Sequence, residues 1–370
     1  MIKFHEPYRS KNTEKYLQEV VQRNSFNDSY FTEKCIEHLS EFYKTTNLLL
    51  THSGTASLEM SAMLLKKNIG KMFDDTIIKI PSYTFSSTAN AFLRSEFRTK
   101  FVDIDEKDMI VSSDELINLG INEYLVSVNY ANSTFNYPDK NLEYLIEDSA
   151  QSYGVKFDNK PVGTFGKYGC VSFHPTKNLH AGYGGLLIVK DDEEFEIAKT
   201  IWERGTDRNK VISGQKSKYE WVSLGSSFQI TELSAAVLLS QLEVETKITQ
   251  IRKEIYETYE NLININELSQ HVSIQKVNHK VSPNYHAFYI LLNDSRDKFI
   301  EFMYKNGIQT FIGYENLHQS SFGVKNNLNF ELRVTEDLSQ KLVRLPMHTN
   351  LLKSDIVFIC EKIQEYFQLN

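Results

Sequence analysis

Apolar and polar positions along the chain change period several times. Leu17, Val20 and Val21 give an early segment one apolar side at helical spacing, and Leu58, Ala62 and Leu65 mark a stronger helix after the turn-like Thr51-His-Ser-Gly54. Short apolar runs follow. Thr76–Ile80, ended by Pro81, then Lys100–Ile104, Tyr124–Val128, Leu145-Ile146 and Gly169–Phe173 predict strands. Gly184–Val189 predicts another, followed by a helix through Phe195, Ala198, Ile201 and Trp202 that stops at Gly205. A helix through Ile230, Leu233, Val237, Leu238 and Leu242 continues in polar form towards Tyr256, which predicts a link to a carboxyl-terminal unit. Phe288–Leu292 supplies a late strand, and Ile356, Ile359, Ile363 and Phe367 line a final helix. Helical segments between several of the strands predict an α/β fold, with a mostly parallel sheet covered by helices.

Composition narrows the class. The 370 residues can bury a sizeable core split between a larger and a smaller domain, and 41% hydrophobic with 24% charged residues describes an ordinary globular protein. A formal net charge of -7 argues against a general nucleic-acid surface. The start, Met1-Ile-Lys-Phe-His-Glu-Pro-Tyr, becomes polar without an apolar core of the secretory kind, and no apolar run reaches the roughly 18 to 20 residues that span a bilayer. Cys35, Cys170 and Cys360 are far apart and odd in number, which fits a reducing compartment, so a cytoplasmic location is expected. No compact His/Cys/acidic cluster suggests a metal.

The candidate chemistry centres on one lysine and one carboxylate. Lys177 lies between the apolar Cys170-Val-Ser-Phe stretch and the Gly-rich turn at Gly182 and Gly184-Gly185, a setting in which an amine can lose its proton and join an aldehyde. Asp148 ends the Leu145-Ile-Glu-Asp run, where its carboxylate can face a protonated pyridine nitrogen, while Glu147 points to the other side of an extended strand. Ser53-Gly54-Thr55-Ala56-Ser57 is either an ordinary helix cap or a phosphate cradle; it lacks the glycine spacing of a dinucleotide fingerprint or a nucleotide-triphosphatase loop. Phe85, with Tyr83 as the local rival, can lay an aromatic face over a planar cofactor. Gln151 either orients a ring oxygen or bonds the backbone, and Ser172 can reach a phosphate. His174 either shapes the lysine turn or makes a structural hydrogen bond. Arg204 and Arg208 either bind a diphosphate or serve in surface ion pairs.

These blocks occur in an order that resembles the DegT-type nucleotide-sugar aminotransferases, within the fold type I pyridoxal-phosphate enzymes. They run Ser53-Gly-Thr-Ala-Ser-Leu-Glu-Met60, Pro81-Ser-Tyr-Thr-Phe85-Ser-Ser-Thr-Ala-Asn-Ala91 and Glu147-Asp-Ser-Ala-Gln151. Ser172-Phe-His-Pro-Thr-Lys177-Asn, Arg204-Gly-Thr-Asp-Arg208, Gly225-Ser-Ser-Phe228 and Leu345-Pro-Met-His348 follow, so the similarity spans nearly the whole chain. It is strongest towards thymidine-diphosphate (dTDP)-4-keto-6-deoxyglucose transaminases.

The resemblance implies a large domain with a mostly parallel seven-stranded sheet, residues 1–245 including the N-terminal segment. Residues 246–370 would then form the linking helix and a small α+β domain. It implies pyridoxal 5'-phosphate as cofactor, with pyridoxamine 5'-phosphate carrying nitrogen between two half-reactions. Lys177 is then the Schiff-base lysine and proton shuttle, Asp148 the pyridine-nitrogen partner and Phe85 the stacking residue. Gly54, Thr55 and Ser172 match phosphate positions, and Gln151 matches the residue beside the phenolic oxygen. Ser227 matches a site where relatives often place an asparagine from a neighbouring subunit, so a homodimer with shared active sites is implied. Trp221, Arg204, Arg208, Tyr314 and His318 match substrate-side regions.

The chain departs from the pattern at Asn129, where relatives commonly carry histidine. It departs again at Gly313 and Asn316, where they often carry histidine and proline. L-glutamate is the implied donor and a dTDP-keto sugar the acceptor, giving an amino sugar for surface polysaccharide assembly. A 3-keto or UDP-linked sugar is the alternative. Related sugar dehydratases replace the lysine with histidine, so Lys177 argues against that branch; a non-catalytic regulatory relative is the remaining competitor.

Overall fold

A computed structural model describes residues 1–24, 26, 28–265, 268–293, 295–328 and 330–369. Its centre is a seven-stranded sheet. In spatial order the strands are Leu48–Thr51, Gly185–Val189, Tyr168–Ser172, Leu145–Asp148, Glu123–Val128, Ile77–Pro81 and Arg98–Val102. Only Gly185–Val189 runs against the others. Strands buried on both faces cannot show polar alternation, which is why the sequence there reads as continuous apolar runs.

Alternate side chains feed two helical layers. Leu49, Ile146, Cys170 and Leu187 point into one core with the helices Gly54–Ile69, Ser86–Arg94 and Asp192–Trp202. Leu50, Val171, Leu186 and Ile188 point into another, against Tyr30–Tyr43 and Glu232–Leu242. Each buried leucine or isoleucine side chain contributes about 1.5–3 kcal/mol by leaving water, so the two faces together hold the sheet between its helices.

Several expectations shift. The edge strand lies at Arg98–Val102, two residues before the expected Lys100–Ile104, because its parallel register with Ile77–Pro81 begins at Arg98. Leu48–Thr51 was read only as the approach to a turn; pairing with Gly185–Val189 makes it a strand.

The helix Glu245–Ile265 joins two cores. Ile248 packs in the large one, whereas Ile255, Tyr256, Tyr259 and Ile263 pack beneath a second, three-stranded antiparallel sheet. That sheet is ordered Val272–Ile274, Phe288–Leu292 and Leu342–Leu345. The first residues, expected with the large domain, bond to segments that flank this smaller sheet. Ile2 N donates to Gly307 O at 2.7 Å and Met347 N donates to Phe4 O at 3.1 Å. Among the described residues no helix is long and apolar enough to cross a membrane, and no cluster of metal-ligating side chains occurs. The three cysteines are buried and unpaired.

Candidate active site

Parallel strands all release their chains at one edge of the sheet, and the loops that follow them surround a crevice there. Asp148 sits at that edge, in register with Val128 on one side and Cys170 on the other. Ser53 to Thr55 follow Leu48–Thr51, Thr84 and Phe85 follow Ile77–Pro81, Asn129 follows Glu123–Val128, and Lys177 follows Tyr168–Ser172. Topology therefore brings together residues far apart in sequence. They line a cavity of about 490 Å3, closed from the small-domain side by His286, Tyr314, Arg344 and Met347 and by Phe4 and His5 of the N-terminal strap.

Burial costs Asp148 the most. At 4% exposure its carboxyl is held above the usual carboxylate range by desolvation. Opposing this, Thr88 Oγ1 donates to Oδ2 at 2.7 Å, Ala150 N donates to Oδ1 at 3.1 Å, and the Lys177 charge favours ionisation. Thr88 is oriented in turn by Thr84, 2.8 Å away. A cationic N–H facing this carboxylate would supply the charge it lacks.

Lys177 faces the opposite problem. The residue is partly accessible through the cavity it lines, yet the protein around it strips water from the ammonium and lowers its pKa to about 8. Asp148 pulls it up and Arg344 pushes it further down. An amine so placed is a nucleophile and a proton carrier near neutral pH. Its turn is closed by Lys177 N donating to His174 O at 2.9 Å. Next to it, Asn178 donates to Asn284 O at 2.6 Å and meets His286 Nδ1 at 2.9 Å, which ties the lysine turn to the small-domain side. Burial keeps His286 well below its usual pKa, so it stays neutral there.

The third feature is the start of the helix Gly54–Ile69. Ser53 caps it, its Oγ accepting from Ala56 N at 3.1 Å, and the free amides of the first turn open on the cavity beside Ser172. A Cβ on Gly54 would stand 2.7 Å from Ser172 Cβ, so glycine is what lets the helix end and the strand end meet. A phosphate cradle, a desolvated amine and a buried carboxylate in one cavity fit a phosphorylated pyridine aldehyde.

The other expected residues divide. Phe85 lines the cavity at 61% exposure, whereas Tyr83 is 2% exposed and packs against Tyr130 and Tyr314. Gln151 uses both ends of its amide, accepting from Ala131 N at 3.0 Å and donating to Tyr314 Oη at 2.5 Å, so it fixes Tyr314 at the wall. His174 also lines the cavity, near the Tyr183 ring.

Ser227, Trp221, Arg204, Arg208 and His318 are not among the lining residues of their own chain. Arg204 and Arg208 both reach the buried Glu203, at 2.6 and 3.5 Å. Trp221 is 77% exposed, and its Nε1 donates to Ser223 O at 2.6 Å. His318 is buried between Ser82 Oγ at 2.6 Å and Glu336 at 3.1 Å, away from the cavity lining of its own chain.

The departures from pattern have local causes as well. Asn129 Oδ1 accepts from Phe135 N at 2.9 Å, and its backbone N–H donates to Asp148 O at 3.2 Å. A Cβ at Gly313 would meet the Tyr83 hydroxyl at 1.8 Å, and Asn316 holds Gln319 and Ser339 at 3.0 and 2.9 Å.

Sequence reasoning missed Thr88, His286 and Arg344. Thr88 stood inside a quoted block as one hydroxyl among several. The other two come from the distant small sheet and carried no local signal.

The model of the DegT/DnrJ/EryC1/StrS aminotransferase family matches residues 7–364, and the chain belongs to that family. It is a pyridoxal-phosphate-dependent sugar aminotransferase of fold type I. A UDP-4-amino-4,6-dideoxy-N-acetyl-beta-L-altrosamine transaminase of Helicobacter pylori is 25% identical over 99% of this chain and 97% of its own. A GDP-perosamine synthase of Vibrio cholerae is 24% identical over 99% of both. Among solved structures, the H. pylori aminotransferase PseC, involved in pseudoaminic acid biosynthesis, superposes with a TM-score of 0.88 at 22% identity, covering 100% of both chains.

Proposed function

We propose that the protein transfers the amino group of L-glutamate to dTDP-4-keto-6-deoxy-D-glucose, giving a dTDP-4-amino-4,6-dideoxy sugar and 2-oxoglutarate. The observation that carries the transamination is the placement of Lys177 and Asp148 in one desolvated cavity beside a phosphate cradle. When bound, pyridoxal phosphate supplies an aldehyde that takes up the amino group and a ring that accepts electron density from the reacting carbon.

The residues do the rest. Gly54, Thr55 and Ser172 would hold the phosphate, Phe85 would lie against the ring, and Asp148 would hold a proton at the ring nitrogen. Gln151 and Tyr314, hydrogen-bonded to each other at the cavity wall, would stand beside the ring. Lys177 Nζ removes the proton from the donor's α-carbon and returns one to the sugar carbon that receives nitrogen. Positioning and a desolvated field supply the rate.

The dTDP-4-keto acceptor rests on the resemblance of the motif blocks, taken in order along nearly the whole chain, to dTDP-4-keto-6-deoxyglucose transaminases. UDP- and GDP-linked products in the names of relatives favour a second reading, in which the nucleotide differs but the chemistry does not. A homodimer is part of the proposal. Phe85 and Tyr183 leave the cavity mouth exposed, and Ser227, Trp221, Arg204 and Arg208 lie outside their own cavity, where a second copy can present them. We place the enzyme in the cytoplasm, with its product entering surface polysaccharide assembly.

The test is incubation with L-glutamate and the 4-keto-6-deoxy sugar on dTDP, UDP and GDP carriers, with NMR assignment of the product. A dTDP-4-amino product supports the proposal. No amino sugar from any carrier refutes it, and amination of the corresponding 3-keto-6-deoxy sugar nucleotide, supplied in a parallel incubation, with the 4-keto sugar left unreacted moves the assignment to 3-keto sugars.

A further inference from the structure

The lysine turn is held from both sides by histidines. His5, on the N-terminal strap, meets Pro175 O with Nε2 at 2.7 Å, and His286, on the small-domain side, meets Asn178 Oδ1 with Nδ1 at 2.9 Å. Both rings line the cavity that holds Lys177. A backbone carbonyl only accepts, so His5 carries its proton on Nε2. Burial lowers its pKa to about 4, opposed by the Pro175 bond and helped by the charges of Arg252, His348 and Arg344, so the ring is neutral near pH 7. His5 Nδ1 is therefore a lone pair.

Nothing in the protein uses that lone pair. No donor of the described residues bonds His5 Nδ1, and the half-buried ring lies open to the cavity. The carboxylate and amide acceptors of the same wall are occupied: Asp148 receives Thr88 and Ala150, Gln151 Oε1 receives Ala131 N, and Asn129 Oδ1 receives Phe135 N. The strap is also fixed without the help of His5. Phe4 N donates to Gln309 Oε1 at 3.2 Å, Met347 N donates to Phe4 O at 3.1 Å, and His348 Nε2 meets Lys3 O at 3.1 Å. Beyond His5, Tyr8 O accepts from His180 Nε2 at 2.9 Å and from Gln241 Nε2 at 3.2 Å. A rigid segment thus presents one free acceptor to the cavity.

We infer that His5 accepts a hydrogen bond from the sugar hydroxyl next to the keto carbon, and so selects the acceptor in the second half-reaction. This rests on the sugar-transaminase reading. The two substrates differ in what they offer a lone pair. Glutamate brings an amine that goes to the cofactor and carboxylates that only accept, whereas a keto sugar brings hydroxyls that donate. The position follows from the turn: His5 binds the carbonyl two residues before Lys177, so its ring is tied to the amine that must reach the keto carbon. In a 4-keto-6-deoxy sugar, of the two carbons flanking the carbonyl only C3 carries a hydroxyl; C5 carries the methyl group and the ring oxygen. His286 is the rival acceptor, but it is 5% exposed, while His5 is half-buried.

Cofactor-loaded wild type, His5→Phe, His5→Gln and His286→Gln test this with 4-keto-6-deoxyglucose and its 3-deoxy analogue, each on dTDP, UDP and GDP carriers. Calorimetry measures binding of the sugars to the pyridoxal form, which has no amino group to transfer. Rapid mixing measures the sugar half-reaction from the pyridoxamine form and the L-glutamate half-reaction from the pyridoxal form. One hydrogen bond to a desolvated acceptor predicts that wild type favours the hydroxylated sugar by about 5- to 30-fold. His5→Phe should lose that preference and slow the glutamate half-reaction less than the sugar one. His5→Gln, which offers an N–H to Pro175 and a carbonyl oxygen to the cavity, should recover part of it, and His286→Gln should keep it. Thermal midpoints and cofactor absorbance show that the variants are folded.

The assignment is overturned if wild type does not distinguish the two sugars on any carrier, if His5→Phe keeps the wild-type preference, or if His286→Gln loses it instead. It is also overturned if the glutamate half-reaction of His5→Phe suffers as much as the sugar one, which is what a purely structural hold on the turn would give. A binding preference that depends on His5, in an enzyme that forms no amino sugar from these substrates, would uphold the assignment while the proposed acceptor fails.

Discussion

Replacing Asp148 by asparagine removes a charge while keeping the shape of the side chain, and the surroundings tell how the protein will respond. Thr88 donates to one carboxylate oxygen and the Ala150 amide to the other. An asparagine can keep its oxygen towards Ala150 and turn its amide towards Thr88, whose hydroxyl can then donate to Thr84, 2.8 Å away. Desolvation already raises the Asp148 pKa, so losing the charge relieves a burial cost. The stability of the cofactor-free protein should therefore change by less than about 1 kcal/mol.

Chemistry should change far more. A carboxylate about 3 Å from a pyridinium N–H, at an effective dielectric constant near 20, is worth about 5 kcal/mol. Keeping a neutral hydrogen bond offsets part of that, leaving about 3–4 kcal/mol, or roughly 10^2- to 10^3-fold in the rate of the glutamate half-reaction. Rapid mixing of cofactor-loaded Asp148→Asn with L-glutamate, followed by absorbance, measures that rate; urea unfolding of the cofactor-free forms measures the stability. A half-reaction within threefold of wild type, with the cofactor bound, would refute the electrostatic role given to Asp148.

Three further outcomes follow from the same geometry. Because burial lowers the Lys177 pKa to about 8, the amine is protonated below that value and neutral above it. Cofactor capture by the cofactor-free protein should accelerate about tenfold per pH unit up to about pH 8 and then level; acceleration that continues into the ordinary lysine range contradicts the desolvation argument. Gly54→Ala puts a methyl 2.7 Å from Ser172 Cβ, which must push the helix end from the strand. The expected cost is about 1–3 kcal/mol of stability with weaker binding of inorganic phosphate, and unchanged urea midpoints would count against the close approach. Glu147, fully buried, accepts from Gly163 N, Phe165 N and Gly166 N at 2.8, 2.8 and 2.7 Å and from the Tyr137 hydroxyl at 2.6 Å. Glu147→Gln turns an amide into that ring of donors and should lose about 2–4 kcal/mol in denaturant unfolding; a loss under about 0.5 kcal/mol would show that the donors find other partners.

Several helices and most central strands were legible because burial on two faces writes apolar runs and burial on one face writes helical periodicity, whereas the helices Tyr30–Tyr43 and Ser86–Arg94 were not read from the sequence. Leu48–Thr51 escaped because four residues carry too little pattern to separate a strand from the approach to a turn; its pairing with Gly185–Val189 is what defines it. Glu147 looked like the outward neighbour of Asp148, and only the fold revealed the four donors that it gathers.

By itself the sequence determined the order of the blocks and the identities at Gly54, Phe85, Asp148 and Lys177, since a nucleophilic amine, an acidic partner and a glycine at a helix start are choices of residue type. Tertiary structure decided what those residues face. The sheet register set Asp148 between Val128 and Cys170 at the cavity floor, and burial lowered the pKa of Lys177. The antiparallel small sheet carried Arg344 into a site more than a hundred residues away along the chain. Other packing buried His318 between Ser82 and Glu336, outside that site, and set Arg204 and Arg208 on Glu203 and Trp221 on Ser223. Residue type is local, but desolvation and charge pairing depend on which distant elements pack together, and no spacing along one chain records that.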